Sequence, residues 1–268
     1  MRKKLFAVWA ALVVCGFAMA QDMPKIVAHR GYWKCEKAGW AQNSLASLRC
    51  AGEFGAWGSE FDIHITADNV VVVNHDPTID GIPIHTNKYA AFRHVRLKNG
   101  EKVPTLEQYL RVGRKYAKKK NMKLVVEFKI QEDESREDLL VAKTIAALKR
   151  YGLYEPKYVL FISFSKHICE LVAGLAPEFT NQYLEKDLTP GEVKAAGING
   201  IDYHFSAFYR YPEWVRQAHT MGMSVNCWTV DRKEDMQHMV ALGVDAITTN
   251  EPALLRELLE KQEARTMR

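Results

Sequence analysis

The sequence lacks most of the features that mark a chain for an easily named class. It has only five cysteines in 268 residues. Cys15 lies in an apolar N-terminal run, and the spacings of Cys35, Cys50, Cys169 and Cys227 match no zinc or disulfide framework. Cys169 and Cys227 sit in apolar context and read as buried thiols, while a Cys35–Cys50 bridge is left open. There is no basic stripe interleaved with exposed aromatics, so nothing points to nucleic acid. After the first twenty residues there is no second long apolar run, which excludes stable membrane insertion of the remainder. No glycine-rich dinucleotide fingerprint follows the first strand-like segment, which argues against an open doubly wound sheet. There is neither an internal repeat nor a composition break that would mark a second domain.

What is present begins with an address. Arg2, Lys3 and Lys4 precede an apolar run that ends in Ala18-Met19-Ala20. This is the pattern of a secretory signal peptide with cleavage after Ala20, implying export to the periplasm or the medium. Val13-Val14 is a poor context for lipidation at Cys15. The leader holds three cations and no acid, so its removal takes the net charge from +5 to +2, and 268 less 20 residues leaves 248. That length suits one α/β barrel.

Strand-like and helix-like segments then alternate to the end. Apolar strands are read at residues 26–28, around Glu60 and Asp62, and at 124–126, 158–162, 179–183, 200–203, 224–228 and 246–249. Between them lie helices at 44–54 (closed by Gly55), from a Thr105 capping box, from Ser135-x-x-Asp138, at 165–175, from Thr189-Pro190, at 212–222, and at 231–242 with Asp231 as N-cap. A polar helix finishes the chain. Residues 70–74 form a hairpin partner to the second strand, leading to a buried-looking His75-Asp76. An irregular insertion of about residues 76–104 follows. Eight strand–helix units with parallel crossovers predict a (β/α)8 TIM barrel in a single domain, residues 21–268.

The charged residues collect where such a barrel works, at the C-terminal ends of its strands. His29 and Arg30 end the first strand, Glu60 and Asp62 the second, Glu127 and Lys129 the third, and Asn226 and Trp228 the seventh. His75 ends the hairpin strand. Alternation sends Glu60 and Asp62 to one face, with Phe61 and Ile63 opposite. Any one of these has an ordinary explanation as a solvated charge or a surface ion pair. Three consecutive strands ending in charge make a site. Three converging carboxylates are costly without a cation, and an all-oxygen set suits one hard divalent ion, Ca²⁺ or Mg²⁺. Arg30 and Lys129 supply positive charge for a phosphate, and His29 and His75 a general base and a general acid. Phosphodiester cleavage is the reaction class this equipment implies.

The ordered set His29-Arg30-Gly31, Asn43-Ser44, Glu60-x-Asp62, His75-Asp76, Glu127-x-Lys129, Trp228-Thr229-Val230 and Gly243-Val244-Asp245-Ala246-Ile247 resembles the glycerophosphodiester phosphodiesterase family. The resemblance covers residues 26–252. It implies a TIM barrel that hydrolyses small-molecule glycerophosphodiesters to an alcohol and sn-glycerol 3-phosphate. It implies a metal held at Glu60, Asp62 and Glu127, catalytic histidines at His29 and His75, and phosphate contacts at Arg30 and Lys129. Trp228 would line the substrate pocket. The family's usual Pro-Glu-Asn-Thr is here Ala41-Gln42-Asn43-Ser44, so an acid near Arg30 has become an amide. Two other readings stand beside this one: a phospholipase D-like enzyme acting on intact phospholipids or sphingolipids, and a non-catalytic barrel that binds a phosphorylated ligand. The first would need an apolar rim, and the sequence shows scattered aromatics but no apolar loop.

Overall fold

The computed structural model describes residues 23–266, and the leader read at residues 1–20 lies outside them. In chain order the elements are β1 (Lys25–Ala28), α1 (Leu45–Phe54), β2 (Gly58–Ile65), β3 (Val71–Val73), β4 (Thr78–Ile79), β5 (Ile82–Pro83), α2 (Leu106–Lys120), β6 (Lys123–Phe128) and α3 (Glu134–Arg150). Then come β7 (Val159–Ser163), α4 (Lys166–Leu175), β8 (Asn181–Tyr183), α5 (Pro190–Ala195), β9 (Gly200–His204), α6 (Ser206–Arg210), α7 (Glu213–Thr220), β10 (Ser224–Trp228), α8 (Lys233–Leu242), β11 (Ala246–Thr249) and α9 (Pro252–Thr266).

The sheet closes on itself. β1 lies beside β11, with Ala28 opposite Thr249, and also beside β2, with Ala28 opposite Ser59. The strands β1, β2 and β6 to β11 run parallel around the ring, and β3 pairs antiparallel with the outer half of β2. This is the expected TIM barrel. Period-2 alternation in β2 sends Phe61, Ile63 and Ile65 outward into the core beneath the helices and Glu60 and Asp62 inward. Val27, Val125, Leu160 and Ala246 fill the barrel interior below those acids. Each such buried side chain contributes roughly 1.5–3 kcal/mol.

Local signals set most helix starts. Ser44 with Ser47, Thr105 with Gln108, and Thr189 with Glu192 each form a capping box, and Pro190 occupies the first turn of α5. Two expected caps are corrected. Helix α3 starts earlier than Ser135: the carboxylate of Asp133 accepts from the Arg136 amide at 2.9 Å, and Ser135 merely donates to the same carboxylate. An ionised acceptor outcompetes a hydroxyl for an orphan amide. At α8 the capping position belongs to Arg232, which makes no side-chain cap bond, because the carboxylate of Asp231 is turned toward Asn250. The one-turn helix α6, too short to leave a periodic pattern, was not anticipated.

Residues 77–104 carry the short hairpin β4–β5 over a satellite core of Ile79, Ile84, Phe92 and Val103 packed on Val72. Cys35 and Cys50 are disulfide-bonded across 15 positions, tying the loop after β1 to α1. Closing a loop of that length removes unfolded-chain freedom worth roughly 3 kcal/mol. Cys169 and Cys227 are free and buried. No helix among the described residues is long and apolar enough to cross a membrane.

Candidate active site

The C-terminal mouth of the barrel gathers His29, Arg30, Glu60, His75, Glu127, Lys129 and Trp228 around a chamber of about 180 Å³. Asp62 stands in the wall, register partner of Glu127 on the neighbouring strand. One turn makes the first contact possible. Arg30 and Gly31 both have left-handed backbones, φ 54° and 76°, and a Cβ on Gly31 would lie 2.4 Å from Ser47 Oγ. Only glycine fits there. The turn aims the Arg30 amide at Glu60 Oε2, 2.7 Å away, and the Gly31 amide at the Glu60 carbonyl.

Carboxylate oxygens of Glu60, Asp62 and Glu127 lie within 4.8 Å of one another, and all three residues are buried. Two cations answer three acids. Lys129 Nζ donates to Glu127 Oε1 at 2.6 Å and to Asp62 Oδ1 at 3.3 Å, while Arg30 Nε stands 3.7 Å from Asp62 Oδ2. Asn43, itself left-handed at φ 55°, donates to Asp62 Oδ2 at 2.8 Å. Burial and the charges of Asp62 and Glu127 push the Glu60 carboxyl well above its ordinary range. Burial, then Asp62, pushes Glu127 up to about 8. At Asp62 burial acts in the same upward direction but is outweighed by Lys129, His75, the Asn43 amide and Arg30, which hold it below the aspartate range.

Like charges about 4 Å apart repel by roughly 4 kcal/mol at an effective dielectric near 20. The trio is therefore built for more positive charge than Lys129 and Arg30 bring. Glu60 Oε1 is buried with no hydrogen-bond partner. Three hard oxygen donors and one orphaned carboxylate oxygen fit a hard divalent cation.

His29 is held through a short relay. Its Nδ1 lies 2.8 Å from Asn250 Oδ1, which also accepts from Trp33 Nε1 at 2.9 Å. Asp231 fixes that amide by accepting from Asn250 Nδ2 at 2.7 Å and from the Asn250 backbone amide at 2.8 Å. A carboxylate only accepts and an indole only donates, so the oxygen of Asn250 must face His29. Nδ1 of His29 therefore carries its proton, and Nε2, 4.0 Å from Glu60 Oε2, keeps its lone pair. Burial, then the Arg30 charge, lowers its pKa to about 4. His75 donates from Nδ1 to Asp76 Oδ1 at 2.6 Å. The pair is not buried: the side chains are 39% and 71% exposed, because β3 ends at Val73 and the chain has already left the core.

A family model for the glycerophosphoryl diester phosphodiesterase family matches residues 29–254. The chain belongs to that family. A glycerophosphodiester phosphodiesterase of Caldanaerobacter subterraneus is 30% identical over 252 residues, covering 88% of this chain and 98% of the relative. The crystal structure of a glycerophosphodiester phosphodiesterase from Parabacteroides distasonis superposes with a TM-score of 0.86 at 41% identity, over 91% of this chain and 99% of that one. A phosphodiesterase of Oleispira antarctica, solved in complex with sn-glycerol-3-phosphate, gives a TM-score of 0.76 at 22% identity over 89% of this chain and 97% of that one, a likeness of fold.

Within this family member some residues at the mouth went unread in the sequence. Asn226 does not reach the chamber. It points down the barrel and donates to Gln182 Oε1 at 2.8 Å, because it sits two residues short of the strand end where Trp228 sits. Trp228 does reach it, with Nε1 donating to the Asp202 carbonyl at 2.8 Å and the ring edge-on to Phe164. Asp202 lines the chamber too, with a buried, unpartnered Oδ1 and a pKa raised by burial and then by Glu127. Its signal was a lone acid in an otherwise apolar strand. Asn250 carries no signal in the sequence and Asp231 signals only a helix cap, since neither lies on a strand and their pairing requires the closed ring. Gln42, in place of the family's acid, accepts from Arg30 Nη1 at 2.8 Å.

Proposed function

We propose that the chain hydrolyses glycerophosphodiesters to an alcohol and sn-glycerol 3-phosphate, with His29 as base and His75 as acid. What carries the reading is the position of Arg30 and His75, which line both the inner chamber and a second, outer groove. A diester whose phosphorus lies near that boundary puts its glycerol beside the carboxylates and its leaving alcohol beside His75. Glu60, Asp62 and Glu127 would hold one divalent cation, Ca²⁺ or Mg²⁺, which supplies charge neutralisation for the phosphate and makes a neighbouring hydroxyl more acidic. Arg30 and Lys129 orient the phosphate oxygens. Nε2 of His29 takes the proton of the glycerol hydroxyl as its oxygen attacks phosphorus. His75 gives a proton to the departing alcohol, and Asp76 holds its ring. Water then opens the cyclic phosphate, with the histidines exchanging roles. The Cys35–Cys50 bond supports export, since disulfides persist in oxidising compartments.

The test follows glycerol 3-phosphate release by residues 21–268 from a panel of diesters. Release is expected to stop with EDTA and to return with one of Ca²⁺ or Mg²⁺. No release from a folded protein with either cation would sink the reading. The pH profile gives a second check. A base with a lowered pKa stays unprotonated into acid, so with saturating cation kcat/KM is expected to hold from pH 7 to about pH 5 and to fall toward pH 4. A break at 6.5, the ordinary histidine value, would overturn the lowered pKa, and an acid limb left unchanged in His29→Ala would remove His29 from the role of base.

A further inference from the structure

The outer groove has a volume of about 380 Å³ and lies between residues 40–43 on one side and the insertion on the other. Its charge is lopsided. Residues 77–104 carry five cations (Lys88, Arg93, Arg96, Lys98 and Lys102) against two acids, Asp80 and Glu101. The insertion alone therefore exceeds the net charge of the whole exported chain. Within the groove Arg30, Arg96 and Lys98 stand against Asp76 and Asp80. Asp76 is already engaged by His75. Glu101 is turned away, accepting from the Ala46 amide at 3.2 Å and lying 3.5 Å from Arg49.

The opposite wall offers no negative charge. Gln42 meets Arg30 with a neutral amide oxygen. Trp40, 56% exposed, is the one aromatic in the lining, and its ring is edge-on to Trp33 rather than part of a cage. A quaternary ammonium is recognised by several aromatic faces or by a carboxylate; the groove has no aromatic cage, and the carboxylate it leaves open, Asp80, is outnumbered by Arg30, Arg96 and Lys98. Asn43 is taken up by Asp62 and the Asn74 nitrogen by the Asp76 and Thr78 carbonyls, which leaves the Asn74 amide oxygen and the Thr78 hydroxyl in the lining, groups that recognise hydroxyls.

Resting on the reading above, we propose that this groove receives the leaving alcohol and selects a polyol without positive charge, such as glycerol or inositol, over choline or ethanolamine. Gln42, Arg96 and Lys98 are the specificity-determining residues. None of them is needed to move a proton; Arg96 and Lys98 act on the charge a head group meets, and Gln42 acts on it directly and through its bond from Arg30.

The experiment compares kcat/KM for glycerophosphoglycerol and glycerophosphoinositol with that for glycerophosphocholine and glycerophosphoethanolamine, in the wild type, in Gln42→Glu and in Arg96→Ala/Lys98→Ala. The polyol diesters are expected to be favoured by about tenfold or more. Both variants are expected to narrow that ratio at least threefold, and 0.5 M salt to narrow it in the wild type, since Arg96 and Lys98 are exposed and screened. Equal or better turnover of the choline diester overturns the inference while leaving the hydrolase reading intact. So does a preference that neither variant changes. No turnover of any diester by the folded wild type overturns both.

Discussion

Replacing His75 with alanine is expected to lower kcat by about two to four orders of magnitude, the span general acid–base catalysis ordinarily contributes. The side chain is 39% exposed, so its removal opens no cavity and the melting temperature should hold. His29→Ala is expected to cost as much in rate and little in stability, because Asn250 Oδ1 keeps its bond from Trp33 Nε1. The two differ in what restores them. A diester with a nitrophenol as leaving group needs no proton on departure, so it should recover most of the rate in His75→Ala and none in His29→Ala. Equal recovery in both would reverse or abolish the assignment, and near-normal turnover of natural diesters by both variants would end the mechanism. The double variant is expected to be no worse than about the poorer single one, since the residues act as a unit.

Glu60→Gln is expected to move stability and activity in opposite directions. Without a cation, Glu60 is a buried acid beside two others, and one of its oxygens has no partner. An amide is neutral at every pH and can still accept from the Arg30 amide, so the cost of holding an acid beside Asp62 and Glu127 disappears and the melting temperature in EDTA should stay level or rise. In the wild type a cation at 100 times its Kd adds about 2.7 kcal/mol. The variant should lose about half or more of that gain at the same concentration, since losing a ligand should cost at least the 10–100-fold in affinity, roughly, that losing an outer partner does. Excess cation should restore part of the activity. A variant that gains as much stability from Ca²⁺ or Mg²⁺ as the wild type would remove Glu60 from the cation site.

The sequence disclosed those parts of the molecule that are decided locally. Period-2 alternation placed Glu60 and Asp62 on one face and Phe61 and Ile63 on the other, and the helix starts at Ser44, at the Thr105 capping box and at Thr189-Pro190 were legible in it. What it hid depends on depth or on distance along the chain. Asn226 and Trp228 share a strand and a face, and only the height of β10 in the barrel decides that the tryptophan reaches the chamber and the asparagine does not. Cys35 and Cys50 meet because the loop after β1 folds back on α1, which no spacing rule contains. Asp231 looked like a cap because it precedes a helix, but Asn250 offers it two donors at once.

The bond between His29 and Asn250 spans 221 positions, and Trp33 and Lys34 reach the same segment through Asn250 and Glu251. The hydrogen bond that orients His29, the base of the proposed mechanism, is therefore not made until the last strand docks against the first. A chain ending before β11 would carry His29, His75, Glu60, Asp62, Glu127 and Lys129 and still lack the Asn250 oxygen that holds Nδ1 of His29. Ring closure would then work as an interlock: the proposed base is oriented only once the two ends of the barrel have met, and a cut that frees Asn250 would release it.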